Sequence, residues 1–269
     1  MPLAPVPPGS AVRLTDAGAA PPSGSPSKSE ARKRLAQLGA RMDELQDALY
    51  AEGKRALLVV LQGRDTSGKD GATRKVFGRI DPQGLEVTSF KVPTPVELAH
   101  DFLWRVHAAV PARGTVGVFN RSHYEDVLAV RVHRLVPEPV WRTRYEQINR
   151  FERTLSETGT TILKFFLHIS REEQRERLLA RLEEGKYWKF SAGDLAERKL
   201  WDAYTEAYEE ALARTSTAEA PWFVVPADKK YLRDLLVAEV VTEALERLDP
   251  RLPGPPAELE DFMRELRAP

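Results

Sequence analysis

The chain has 269 residues, enough for one α/β domain with a sizeable core and short arms. Forty Lys and Arg balance forty Asp and Glu, so net charge is zero and a chain-wide basic field for nucleic acid is excluded. There is no cysteine, no HExxH pattern and no apolar run of membrane-spanning length, which excludes a disulfide framework, a thiolate metal site and a helical membrane span.

Residues 1–26 are rich in Pro, Ala, Gly and Ser and read as a mobile or surface-draped arm. They lack the basic start and apolar core of a secretory signal, so a cytoplasmic location is expected. Ser27 with Glu30 resembles a capping box, and Leu35, Leu38, Met42, Leu45 and Leu49 form one apolar stripe on the helix that follows. That stripe fits either the main domain or a second subunit, and a homo-oligomer, dimer or tetramer, is expected.

Strands and helices then alternate. Strands are predicted at 55–63, 85–92, 115–120, 160–170 and 222–227. Helices are predicted at 69–79, 95–110, 138–159, 171–185, 194–215 and 229–248. Such alternation predicts a five-stranded parallel sheet flanked by helices, one domain over 27–250. A Pro-rich tail at 251–269 carries one short helical run, 257–267.

The stretch Gly63-Arg64-Asp65-Thr66-Ser67-Gly68-Lys69 fits GxxxxGK, with a strand before it and a helix after it. The glycines let backbone N–H groups curl around an anion, the helix start adds positive potential, and Lys69 supplies a point charge to outer phosphates. The hydroxyl residue that ordinarily follows the lysine is replaced by Asp70. Asp65 is a carboxylate in a loop built for phosphate, which is repulsive unless a divalent cation lies between them. Mg²⁺, with Mn²⁺ as its substitute, is therefore the expected cofactor, held by Asp65.

A second cluster, 118–134, reads VFNRSHYEDVLAVRVHR and follows the third strand. A strand end next to the phosphate loop usually brings an acid towards the metal; here the place holds Asn120. Arg121, His123, Arg131, His133 and Arg134 follow, as expected where an anionic substrate is held.

With these residues in view, the chain resembles the polyphosphate kinase 2 family. The resemblance runs through GRDTSGKDGATRKVF, FKVPTPVELAHDFLWRVH, FNRSHYEDVLAVRV, YWKFSAGDLAERKLWDAYTEAYEEAL and WFVVPADKKYLRDLLVAEVV, over roughly residues 30–250. The SHYEDVL wording looks like class III, which acts on both AMP and ADP. The resemblance implies a P-loop kinase-like α/β fold with a mobile helical lid, here about 171–201. It also implies Mg²⁺-dependent movement of a terminal phosphoryl group between inorganic polyphosphate and adenine nucleotides (AMP, ADP, ATP). By the same resemblance Lys69 is the loop lysine and Asp65 the loop aspartate, while position 120 is the second-strand acid beside Arg121. Gly63, Arg64, Thr66, Ser67, Gly68 and Asp70 complete the phosphate-binding loop, and Glu125 belongs to the second motif. Arg177 and Arg181 are the expected lid arginines, with Lys189 and Arg198 further along. Lys75, Lys91 and Arg131 are candidates for gripping polyphosphate or the acceptor phosphate.

One departure stands out. The family pattern at position 120 is Asp, in FDRS, and Asn is a poorer ligand for a hard cation. The expectation from sequence is that Asn120 slows turnover and that Asn120→Asp raises the rate. Two other readings share these motifs: a nucleoside monophosphate kinase using ATP, and a catalytically impaired binder of polyphosphate or nucleotide.

Overall fold

A computed structural model gives the fold and describes residues 3–268. Its elements, in chain order, are α1 (Lys28–Glu52), β1 (Ala56–Gln62), α2 (Lys69–Val76), β2 (Leu85–Ser89), α3 (Pro95–Leu98), α4 (Trp104–His107) and β3 (Val116–Asn120). There follow α5 (Ala129–Val132), α6 (Glu138–Glu157), β4 (Thr160–His168), α7 (Arg171–Glu183), α8 (Ala192–Lys199), α9 (Trp201–Thr215), β5 (Trp222–Pro226), α10 (Lys230–Leu248) and α11 (Leu259–Arg267).

The five strands form one sheet in the order β2-β3-β1-β4-β5, every pair parallel, as the alternating pattern predicted. All seven residues of β1 are buried, because a central parallel strand is covered on both faces. Leu57, Val59 and Leu61 face one core layer with α1, α2 and α10; Leu58 and Val60 face the other with α6 and α9. From β1 the chain reaches β2 and β3 on one side and β4 and β5 on the other, so the crevice at the carboxyl ends of β1 and β3 is a topological switch point.

The capping box at Ser27 and Glu30 starts α1, and Gly53 in the left-handed region ends it. Met42, Leu45 and Leu49 of the α1 stripe are buried in the first core layer, with Leu35 and Leu38 partly buried against it. The stripe lies on its own domain rather than on a second subunit. The arm before α1 runs along the edge strand β5: Val6 N–H donates to Trp222 O at its amino end, and Asp228 N–H donates to Ala19 O just past its carboxyl end.

Two predicted helices are each split in two. The run 95–110 splits into α3 and α4, because Asp101 Oδ1 accepts from Leu103 N–H (2.9 Å) and breaks the backbone ladder between them. The run 194–215 breaks at Leu200, where α8 ends and α9 begins.

Candidate active site

The chain leaves β1 at its carboxyl end through a loop whose shape two glycines permit. Gly63 has φ +154°, and a Cβ there would meet Leu167 O at 2.8 Å and Ser67 Oγ at 2.6 Å. Gly68 has φ +98°, and a Cβ there would lie 1.8 Å from Arg233 Nη1. The loop feeds α2, whose first N–H groups face it without a side-chain cap.

Lys69 is the centre of the loop. Its side chain is buried, and Nζ donates to Gly63 O (2.6 Å) and Arg64 O (3.3 Å). Burial pushes its pKa down to about 8; Arg121 adds to the depression, while Asp65, Glu125 and Asp70 oppose it. Thr66 Oγ1 and Ser67 Oγ are buried with no partner among the described residues. Buried hydroxyls of this kind ordinarily find a partner, and an incoming phosphate oxygen would supply it. Thr66 itself sits at φ +66°, a strained setting for a β-branched residue.

Register places Asn120 beside Leu61, so β3 delivers its last residue next to the loop. Arg121 follows at φ +62°, and its Nη2 donates to Asp65 Oδ1 (2.7 Å) while Nη1 lies 3.6 Å from Glu125 Oε1. Burial works against the Arg121 charge, but Glu125 and Asp65 outweigh it and raise the pKa. Asn120 Nδ2 donates to Asp70 Oδ1 at 2.5 Å. A carboxylate does stand on this side of the loop, contributed by α2 rather than β3, and the Asn120 amide holds it.

The structure therefore brings together Gly63, Thr66, Ser67, Gly68, Lys69, Asp65, Asp70, Asn120, Arg121 and Glu125. Other expected residues have different partners. Arg64 turns out of the loop into the core: Nη1 donates to Trp201 O (2.9 Å) and Nη2 to Thr205 Oγ1 (2.6 Å). Arg177 braces backbone instead of facing the cleft. Its Nη1 donates to Thr66 O (2.8 Å) and its Nη2 to Ala227 O (2.7 Å) and Asp228 O (3.0 Å), with Glu173 on Nε. Arg181 donates to Lys189 O (2.6 Å), and Arg198 to Arg171 O (2.7 Å) and Gln174 Oε1 (3.0 Å). Arg131 is held by Glu210 (2.6 Å) and Tyr145 Oη (3.2 Å). Lys75, Lys91 and Lys189 are exposed.

His123 does not face the loop either. It is fully buried, with Nε2 3.1 Å from Glu152 Oε1. Lys164 Nζ donates to Glu152 Oε2 (2.6 Å), Tyr124 Oη (2.8 Å) and Thr215 O (2.6 Å) in the same core network. Burial tends to raise the Glu152 pKa, but Lys164 and His123 outweigh it and hold the carboxyl below its ordinary value. A buried charge paired in this way shapes the core and leaves the chemistry to the loop.

Sequence reading missed three supports of the loop. Arg233 Nη1 donates to Ser67 O (3.2 Å) and is itself held by Asp234 (2.6 Å); Gln174 Nε2 donates to Asp65 O (3.1 Å). The adjacent Arg233-Asp234 pair between Leu232 and Leu235 was the available signal, since charged residues are rarely buried unless they are paired.

Among the described residues no three acidic or histidine side chains cluster closely enough to cage a metal. The donor set still suits Mg²⁺, which keeps waters and takes one or two carboxylates plus substrate phosphates rather than a full protein cage. Asp65 and Asp70 both act on the Lys69 charge.

Comparison with known proteins bears on this site. The model of the family described as Polyphosphate kinase 2 (PPK2) matches residues 25–253. The chain is 54% identical over 239 residues to the AMP/ADP-polyphosphate phosphotransferase of Meiothermus ruber, covering 88% of this chain and 90% of that one. It is 48% identical over 221 residues to the ADP-polyphosphate phosphotransferase of Rhodopseudomonas palustris, covering 77% and 76%. Among solved structures, polyphosphate kinase 2 from Arthrobacter aurescens TC1 superposes with a TM-score of 0.88 at 46% identity, covering 91% of this chain and 88% of that one.

Proposed function

The chain belongs to the polyphosphate kinase 2 family of phosphotransferases, and from that premise we propose that it moves a terminal phosphoryl group between inorganic polyphosphate and AMP or ADP, with Mg²⁺. The observation that carries this reading is the loop itself. One short loop holds a buried ammonium, two buried hydroxyls with no partner among the described residues and the uncapped start of α2, a set suited to phosphate oxygens.

In the direction of nucleotide synthesis, an oxygen of the acceptor's terminal phosphate attacks the last phosphorus of polyphosphate. A new P–O bond forms as the bond to the next phosphate unit breaks. The chain leaves one unit shorter, and AMP becomes ADP or ADP becomes ATP. The attacking oxygen is already anionic, so no general base is needed and catalysis consists of positioning and charge stabilisation. Lys69 and the loop N–H groups hold the outer phosphates, and Arg121 brings positive charge to the same side. Asp65 and the Asn120-held Asp70 are the residues that would hold Mg²⁺, whose role is to neutralise charge on the phosphate oxygens. Asn120 thus serves as the partner of Asp70 rather than as a damaged ligand. Segment 184–200, with exposed Tyr187, Trp188 and Lys189, is the part suited to act as a lid that excludes water.

The test is to supply Mg²⁺ and polyphosphate, without ATP, to AMP and to ADP separately. The proposal expects product from both acceptors. Product only when ATP is the donor would replace it with the monophosphate-kinase reading.

A further inference from the structure

We propose that Arg64 is a positioning residue that couples phosphate in the loop to the setting of segment 184–200, an inference that rests on the phosphotransferase reading. Arg64 belongs to the loop by its backbone and to the far side of the segment by its side chain. Its carbonyl accepts from Lys69 Nζ at 3.3 Å and from Ser67 N–H at 3.1 Å. Its guanidinium is buried, with Cζ 3.8 Å from the centre of the Trp201 ring and 5.9 Å from that of Tyr208. Two of its nitrogens donate to Trp201 O and Thr205 Oγ1 in the first turn of α9.

Trp201 directly follows Leu200, the joint between α8 and α9. The other end of the segment is fastened to the same loop. Gln174 donates to Asp65 O, and Arg177 donates to Thr66 O and Ser67 O, all from α7. Residues 64, 65, 66 and 67 are thus each bonded to one flank of segment 184–200, three by their carbonyls and Arg64 by its side chain. The segment between the two flanks carries Lys189 and Arg198 and is tied to α7 through Arg198.

A phosphate that draws the Lys69 ammonium towards itself takes it from the carbonyls of Gly63 and Arg64. The Arg64 backbone then shifts, and its fork carries that shift to Trp201. The planar, stacked guanidinium makes this link stiff; a lysine has the charge but neither the fork nor the stacking face. The role differs from that of a phosphate ligand, because the charged end of Arg64 points away from the anion.

Hydrogen exchange with and without polyphosphate of defined length, in Mg²⁺, tests the coupling. In the wild type, polyphosphate should slow exchange at 63–70 and, on the order of tenfold, at 186–203. Arg64→Lys should keep the protection at 63–70 and a KM for polyphosphate within about twofold, yet lose the protection at 186–203, with kcat lower on the order of tenfold. Thr205→Val leaves the loop intact, should move the same two readouts in the same direction by less, and carries the comparison if Arg64→Lys does not fold. Distant protection and kcat that survive in Arg64→Lys, or in Thr205→Val alone where that variant carries the test, would overturn the coupling. Loss of protection at 63–70 itself in Arg64→Lys would overturn it too, making Arg64 a phosphate ligand. A wild type that gains no protection at 63–70 would overturn the phosphotransferase reading and this inference with it.

Discussion

The loop at 63–70 and the cationic stretch at 171–201 both carry positive charge to the carboxyl edge of the sheet, and they use it differently. In the loop the charge lies at the proposed anion site: Lys69 is buried among backbone carbonyls, beside hydroxyls with no partner among the described residues. In the stretch most of the charge is already matched. Arg177 holds four backbone carbonyls, Arg198 holds α7, and Arg181 holds Lys189 O. The lesson is that a guanidinium near an active site is as apt to build it as to work in it. What separates the two here is what lies beside the charge: buried hydroxyls with no partner among the described residues in the loop, and carbonyls already matched in the stretch.

The largest expected effect lies in the loop. Lys69→Met should lower phosphoryl transfer by about a thousandfold, the usual scale for removing a preorganised charge, while circular dichroism reports an intact fold. Arg177→Ala should do the reverse. It leaves a set of buried carbonyls without donors, two of them in the loop, so a loss of about 3 kcal/mol in urea unfolding is expected, with the rate of the folded fraction falling far less than in Lys69→Met. Equal stability of the two variants would erase the distinction between the regions.

A pH series sharpens it further. Burial puts the Lys69 pKa at about 8, so above that value the empty loop loses its charge. Bound phosphate favours the ammonium, so binding takes up a proton there and affinity falls as pH rises, approaching about tenfold per unit. Calorimetry in buffers of different ionisation enthalpy reads this uptake. Lys69→Arg should lack it, because a guanidinium stays charged.

Asn120→Asp comes next. It replaces a 2.5 Å amide–carboxylate hydrogen bond with two facing carboxylates. Without Mg²⁺ the variant should lose about 1 kcal/mol of stability, and Mg²⁺ should restore it. A rate gain with no metal-free destabilisation would favour the original expectation from sequence. Arg181→Ala, with partners near the surface, should change stability by less than about 0.5 kcal/mol.

Much of the molecule is legible in its sequence. The five strands followed from β-branched and apolar runs between turn residues, and the shape of the loop followed from Gly63, Gly68 and Lys69, because backbone freedom is a local property. The destinations of long side chains were not local. Nothing in the spacing of Arg64 or Arg177 says that one reaches Thr205 and the other Ala227, since those partners arrive from 141 and 50 residues away. The Asp70–Asn120 pair spans 50 residues, and only the parallel register of β1 and β3 makes it. The break in 95–110 was hidden for a different reason: a side chain, Asp101, competes with the helix for an N–H that periodicity takes for granted.

The central claim is that the loop at 63–69 binds the end of a polyphosphate chain through Lys69. Isothermal titration of the folded protein with inorganic polyphosphate in Mg²⁺ tests it most directly. The account predicts binding in the wild type that weakens at least about a hundredfold in Lys69→Met. Unchanged affinity in that variant would contradict it.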